Sequence, residues 1–267
     1  MGTQTGTSKS RETHPTSPVS SNRCVGIIGT AGRTAADRKF LSAEAFEGMV
    51  QHSVTLITKW TLPPAGVSTV TIPVRIASGG SAWADHVAVA LFLRHPDKYA
   101  LDLYLPCPWD AKRKSFHDNG KSNWQLNPGR TLNDYHRVFA RDSGWHTNAS
   151  LDQIDEARQK GAVLHADAKH YGFHARNTEL ALACTHLLAF TRGTGSPVEG
   201  GTRDTWTKAR IPSRFKRHVS LSQLLQTPSL SVDFATATMA PTTFISTVDP
   251  ENVSAPQQST AAMQPIT

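Results

Sequence analysis

The stretch Ile76-Ala77-Ser78-Gly79-Gly80-Ser81-Ala82-Trp83-Ala84-Asp85 places two glycines, two hydroxyls and a carboxylate close together. Adjacent glycines have no Cβ, so backbone N–H groups there can approach a ligand closely. A helix N-terminus directly after them adds partial positive charge, which suits a phosphate. The same pattern also makes a plain strand-to-helix turn, and on this motif alone the two readings weigh equally. Two further stretches share the chemistry: Gly29-Thr30-Ala31-Gly32-Arg33, and the run 193–202 that closes on Gly200-Gly201-Thr202. Arg33 can grip a phosphate bidentately or remain a solvated loop residue. Asp85 can accept from a ribose hydroxyl, organise the glycine turn, or only complement a helix dipole. Arg176, followed by Asn177, can reach the same ligand or pair with Glu179. Gly201 and Thr202 offer bare N–H groups and a hydroxyl.

These turns need elements that bring them together. Cys24-Val25-Gly26-Ile27-Ile28-Gly29 is a short apolar run that reads as a buried strand. Leu41, Ala45, Phe46 and Met49 recur after it at helical spacing. Pro63-Pro64-Ala65-Gly66 marks a loop, 71–77 a second strand, and Ser81 a cap for a helix carrying Ala84, Val87, Ala88, Leu91 and Phe92 on one face. A third strand is predicted over 101–105. Helices follow over 131–141, 152–160 and 176–185, with a short extended piece at Val163-Leu164. Leu187-Leu188-Ala189-Phe190-Thr191 reads as a strand, 193–202 as a loop, 204–208 as the start of a helix, and 216–221 as a last strand.

Alternating strands and helices predict an α/β fold, a Rossmann-like open and mostly parallel sheet with helices on both faces. In such a sheet the carboxyl ends of the strands share one edge, and ligands bind there near the switch point. The three glycine turns each follow a strand, so they converge on one crevice. The expected organisation is a disordered arm (1–22), one domain (23–226) with an insertion or cap (106–150), and a disordered tail (227–267). The insertion holds Trp109, Trp124 and Trp145, which can offer a stacking surface for a base.

Formal net charge is +7, and the tail from Pro228 onward contributes only acids. The cluster Arg203, Lys208, Arg210, Arg214, Lys216 and Arg217 can attract phosphate backbones without sequence preference or form a solvated rim. The 3 Cys (Cys24, Cys107, Cys184) are far apart and form no CxxC pair, which suggests a reduced, cytoplasmic setting. Cys184 reads as core, and Cys107 has no paired base. His165, His170 and His174 fit no familiar zinc spacing, so no metal and no cofactor are expected. No apolar run is long enough to span a membrane, so no membrane partner is expected.

The order of these motifs resembles the SLOG superfamily, the Rossmann-like group that includes the LOG-type phosphoribohydrolases and the DNA-processing A family. The YspA-like and YpsA-like branches are the most similar. The resemblance rests on VGIIGTAGR, SGGSAWAD, HARNTELALACTHLLAF and GGTRDTW, over roughly 24–105 and 160–221. It implies a site for a nucleotide or nucleotide derivative, ADP-ribose-like or a signalling nucleotide, and self-association into a homo-oligomer.

Two departures narrow it. Trp83 stands where that branch usually has glycine, and Thr205 stands where the LOG enzymes carry a glutamate that takes part in catalysis. Asp204 is adjacent, about 100° away around a helix. The leading expectation is therefore sensing or sequestering of a nucleotide by Gly29, Thr30, Gly32, Arg33, Ser78, Gly79, Gly80, Ser81, Arg176, Asn177, Gly200, Gly201 and Thr202. The alternative is cleavage of a nucleoside monophosphate's N-glycosidic bond, with Asp85 or Asp204 as the catalytic carboxylate. Non-specific nucleic-acid binding through the basic cluster is the third.

Overall fold

The computed structural model describes residues 23–62, 72–167 and 171–225. The expected arm and tail, the loop at Pro63 to Gly66 and His170 lie outside the described residues. Six strands form one parallel sheet: β1 (Cys24–Gly29), β2 (Val74–Ser78), β3 (Tyr99–Tyr104), β6 (Val163–His165), β7 (His186–Thr191) and β8 (Lys216–Ser220). Their spatial order is β6-β3-β2-β1-β7-β8, every neighbouring pair parallel. This is the Rossmann-like open α/β sheet expected.

The central strands read as continuous apolar runs because both faces are covered. Val25 and Ile27 face one core with Leu188 and Phe190, while Cys24 and Ile28 face the other with Leu187 and Ala189. On the first face lie α2 (Ala43–Thr61) and α3 (His86–Arg94). The side chain of Ser42 caps α2 by accepting from the Ala45 N–H at 3.2 Å, a contact worth about 1 kcal/mol. On the second face α6 (Phe173–Ala183) and α7 (Gly200–Lys208) pack together. A one-turn helix, α1 (Ala35–Arg38), opens at Thr34, which forms a capping box with Asp37.

The segment between β3 and β6 contains structure of its own. A small antiparallel hairpin, β4 (Trp109–Asp110) and β5 (Ser115–Phe116), leads to α4 (Pro128–Asp142) and α5 (Ala149–Gln159). Asn127 caps α4 by accepting from the Arg130 N–H, and Pro128 occupies its first turn. Leu132 and Phe139 of α4 and Ile154 of α5 are buried in the same core as α2 and α3. This packing explains why α3 is buried on all sides from His86 to Phe92, where amphipathic spacing predicts a single buried face. The chain ends its described part in a short helix, α8 (Leu221–Leu224).

Two boundaries differ from the sequence expectation. Ser81 does not cap α3: the helix begins at His86, and residues 81–85 form turns. Gly200-Gly201-Thr202 are not loop but the first turn of α7. The chain crosses from β6 through α6 to β7, which lands beside β1 and reverses the direction of strand addition. Between β1 and β7 the sheet therefore has a switch point, where crevices open at the carboxyl edge.

Candidate functional site

At that edge lies a cavity of about 1170 Å³. Its walls come from the ends of β1 (Gly29, Thr30, Ala31, Arg33) and β7 (Thr191, Arg192), the turn after β2 (Ser81, Asp85), the start of α6 (Phe173, Arg176, Asn177) and the start of α7 (Gly200, Gly201, Thr202). Two of the predicted glycine turns, after β1 and at the start of α7, thus line one cavity, while the segment after β2 contributes only Ser81 and Asp85.

The Ser78-Gly79-Gly80 turn is buried and does not line the cavity. A Cβ on Gly79 would lie 1.1 Å from Nη1 of Arg176 and 2.6 Å from Oδ2 of Asp85. Gly79 is thus required so that a guanidinium can lie flat against the backbone, rather than so that a phosphate can approach it. The Gly80 N–H is taken by the Ser78 hydroxyl at 3.3 Å, and the Gly80 carbonyl lies 3.1 Å from Nε2 of His136. The expectation that this turn cradles phosphate is corrected: it seats Arg176.

Arg176 pairs with Asp85 at 3.2 Å, not with Glu179. Both are almost fully buried. Asp85 also accepts from the Ser81 N–H at 3.3 Å. Burial pushes the Asp85 carboxyl above its ordinary range, more than Arg176 and the neighbouring backbone N–H groups of Ser81 and Gly29 pull it down. The Nε of Arg176 is buried and unpartnered, although the side chain lines the cavity. A buried donor without an acceptor costs about 1–3 kcal/mol.

The first glycine turn also spends its N–H groups internally. The Thr30 N–H bonds the Phe190 carbonyl at 2.9 Å, and the Gly32 N–H bonds the Thr30 hydroxyl at 3.1 Å. Little of this turn is left to hold an anion, and Gly32 is not in the cavity wall. Gly29 serves close packing, since a Cβ there would meet the Phe190 carbonyl oxygen at 2.2 Å. Arg33 does line the cavity and, among the described residues, forms no ion pair.

The start of α7 is the open donor site. The first N–H groups of a helix have no acceptor within it, and Glu199 supplies no side-chain cap. The Thr202 hydroxyl donates to the Gly29 carbonyl at 2.8 Å, pinning α7 to the end of β1. Its proton is therefore not free for a ligand, but the backbone N–H groups of Gly200 and Gly201 lie at the cavity. Asn177 donates to Asp204 at 3.0 Å. Arg192 is held by Asp37 at 3.6 Å and Glu199 at 3.0 Å.

Asp204 is corrected as a catalytic candidate. It is absent from the cavity wall and accepts from Lys208 at 2.9 Å, Asn177 and His174. Burial raises it, but those three donors outweigh burial and hold its carboxyl below the ordinary range. Helix geometry turns it to the α6 side, as the angular offset from Thr205 predicts.

Residues that the sequence reading passed over complete the wall: Phe173, Tyr135, Phe40 and Arg192. Of the three insertion tryptophans, Trp124 lines the cavity. Trp109 packs on Phe116 and donates to Asp155, and Trp145 packs on Phe46 and Phe139. No local pattern separates these three, because each lies in a polar, turn-rich stretch.

The remaining titratable groups are structural. His165 pairs with Asp102 at 2.7 Å and His174 with Asp204 at 3.4 Å, and no group of three metal-capable side chains converges among the described residues. Burial pushes the Cys107 thiol up to about 12. Cys24 and Cys184 contact each other beneath the sheet, both buried. In the basic cluster, Lys208 is engaged by Asp204, Lys216 donates to the Trp206 carbonyl and Arg203 to the Val198 carbonyl.

The fold and cavity define a class: an open, parallel α/β Rossmann-like protein with a crevice at its switch point. No protein-family model matches the chain. It is 33% identical over 201 residues to "Uncharacterized protein R261" of Acanthamoeba polyphaga mimivirus, covering 74% of this chain and 96% of that protein. The chain belongs to the family of this viral protein. No helix among the described residues is long and apolar enough to cross a membrane.

Proposed function

We propose that this protein binds a nucleotide or nucleotide derivative by its phosphate at the carboxyl edge of the sheet, as a sensor or sequestering protein. The observation that carries this reading is the first turn of α7, which has no side-chain cap, opening into a cavity that Arg33 and Arg176 also line. An anion there would accept from the Gly200 and Gly201 N–H groups and meet the positive end of the helix dipole. Arg33 would add a charge that no carboxylate among the described residues neutralises.

Retention of a ligand is favoured over turnover because no carboxylate stands at Thr205 and Asp204 faces away. The cleavage reading retains one supporting observation: Asp85 lies in the cavity wall. A buried anion beside a sugar would favour an oxocarbenium-like transition state.

Native mass spectrometry of the protein as purified from cells tests the leading reading, and a retained phosphorylated small molecule is expected. Calorimetry with nucleoside mono- and diphosphates follows. Arg33→Ala is expected to weaken binding about tenfold without lowering the melting temperature, as for loss of one charge-assisted contact. A protein that binds no phosphorylated ligand in either measurement contradicts the reading. Release of free base from a nucleoside monophosphate, abolished by Asp85→Asn, would favour cleavage instead.

A further inference from the structure

The cavity has an aromatic side that phosphate binding does not use. Trp124, in the segment between β5 and α4, is 44% exposed and lines the cavity. Phe173 at the start of α6 lies beside it, with ring centres 5.9 Å apart and planes inclined by 42°. The guanidinium carbon of Arg33 sits 5.8 Å from the centre of the Trp124 ring, and that of Arg176 sits 5.9 Å from Phe173. Arg33 also reaches the other side: its Nη1 would be 3.9 Å from a Cβ on Gly200, at the start of α7.

An exposed indole face beside two arginines in a cavity has an evident use. Every nucleobase presents a π-face, and stacking on an aromatic side chain is tolerant of sequence. A cation over the indole face holds the same surface when no base is there. We propose that Trp124 is the stacking platform for the base of a nucleoside phosphate. Its phosphate lies at the first turn of α7, and Arg33 exchanges the indole face for that phosphate on binding. This inference rests on the phosphate reading above and adds the base: the ligand class is a nucleoside phosphate, not a bare sugar phosphate.

The test compares the four common ribonucleoside 5′-monophosphates with ribose 5-phosphate, by calorimetry and tryptophan fluorescence, on the full chain. At least one nucleoside monophosphate is expected to bind about tenfold or more tightly than ribose 5-phosphate, with quenching of the indole emission. Trp124→Ala is expected to reduce that preference to near parity while leaving ribose 5-phosphate affinity within about twofold. Trp124→Phe is expected to keep most of the preference and lose the quenching. Because Trp124 is exposed, melting curves of both variants should match the parent, and the Phe variant keeps the test valid if the Ala variant does not fold.

Ribose 5-phosphate and the nucleotides binding equally to the parent protein would overturn the stacking inference and leave the phosphate reading standing. Equal weakening of all ligands by Trp124→Ala would do the same. Failure of every phosphorylated ligand would overturn both.

Discussion

Arg176 is the residue on which the site turns. Its guanidinium is held between Asp85 and the backbone at Gly79, with one nitrogen left bare. Removing one partner of a buried pair leaves the other uncompensated, so Arg176→Met is expected to cost about 3–5 kcal/mol in urea unfolding. The double variant Arg176→Met/Asp85→Asn should lose clearly less than the sum of the singles, and additive losses would contradict the pairing. Gly79→Ala drives a Cβ into the same guanidinium and is expected to cost about 1–3 kcal/mol. Trp83 offers a separate test of backbone strain. It is fully buried, with φ at 56° in the left-handed region and its Nε1 unpartnered. Trp83 thus holds a backbone conformation that favours glycine, while its indole packs on Phe139 at 4.5 Å between ring centres. Both Trp83→Gly and Trp83→Ala lose that packing. The Gly variant is expected to be the more stable by about 1 kcal/mol in thermal unfolding, because an L side chain is strained there. The opposite order would mean that the turn relaxes once the indole is gone.

At the scale of elements, two buried histidines tie α3 and α4 to α5, and α4 to the turn after β2. His86 lies 2.7 Å from Oε1 of Gln153, so its Nε2 donates, and Nδ1 has no partner. His136 reaches the Gly80 carbonyl and the Ser150 hydroxyl. Burial lowers His86 to about 4, partly opposed by Gln153; burial, then repulsion from His86, lowers His136 to about 3. Both are therefore neutral in the folded protein. Below the unfolded value of about 6.5 the unfolded chain takes up protons that the folded one refuses. Their contribution to stability is full above that pH and is lost as pH falls toward about 4 for His86 and about 3 for His136. Each group adds a slope of about 1.4 kcal/mol per pH unit within its window. His136→Gln should flatten the curve of unfolding free energy between pH 6 and 4 relative to the parent, and an unchanged slope would contradict this assignment. The same bond ties the insertion to the glycine turn, so α4 steadies the seat of Arg176 from behind.

At the largest scale, the described residues form three layers of helices and sheet with a crevice where β7 lands beside β1. A ligand bound there touches β1, β7, α6 and α7 together, so it should stabilise the fold as a unit. At a hundredfold excess over its Kd a binding nucleotide is expected to add about 2.7 kcal/mol, read as a single shifted melting transition. Much of this architecture was legible in advance because buried parallel strands are continuous apolar runs and helices carry period-3.6 patterns. The strand runs at 24–29 and 187–191 and the helices near 131–141 and 152–160 follow from such local signals. The packing of α4 and α5 over α3 was not legible, since an apolar stripe shows that a face is buried and not against what.

The amino-acid sequence by itself determined the order of the six sheet strands and of the main helices between them, and the parallel α/β class. The tertiary structure alone decided what each turn is for. Gly79 admits an arginine 97 positions later in the chain, Asp204 turns to Lys208, and Trp124 alone of three insertion tryptophans reaches the cavity. The reason is physical. Chain direction and burial are written in local composition, whereas the identity of a hydrogen-bond partner depends on distances between segments remote in sequence, which only the packed core defines.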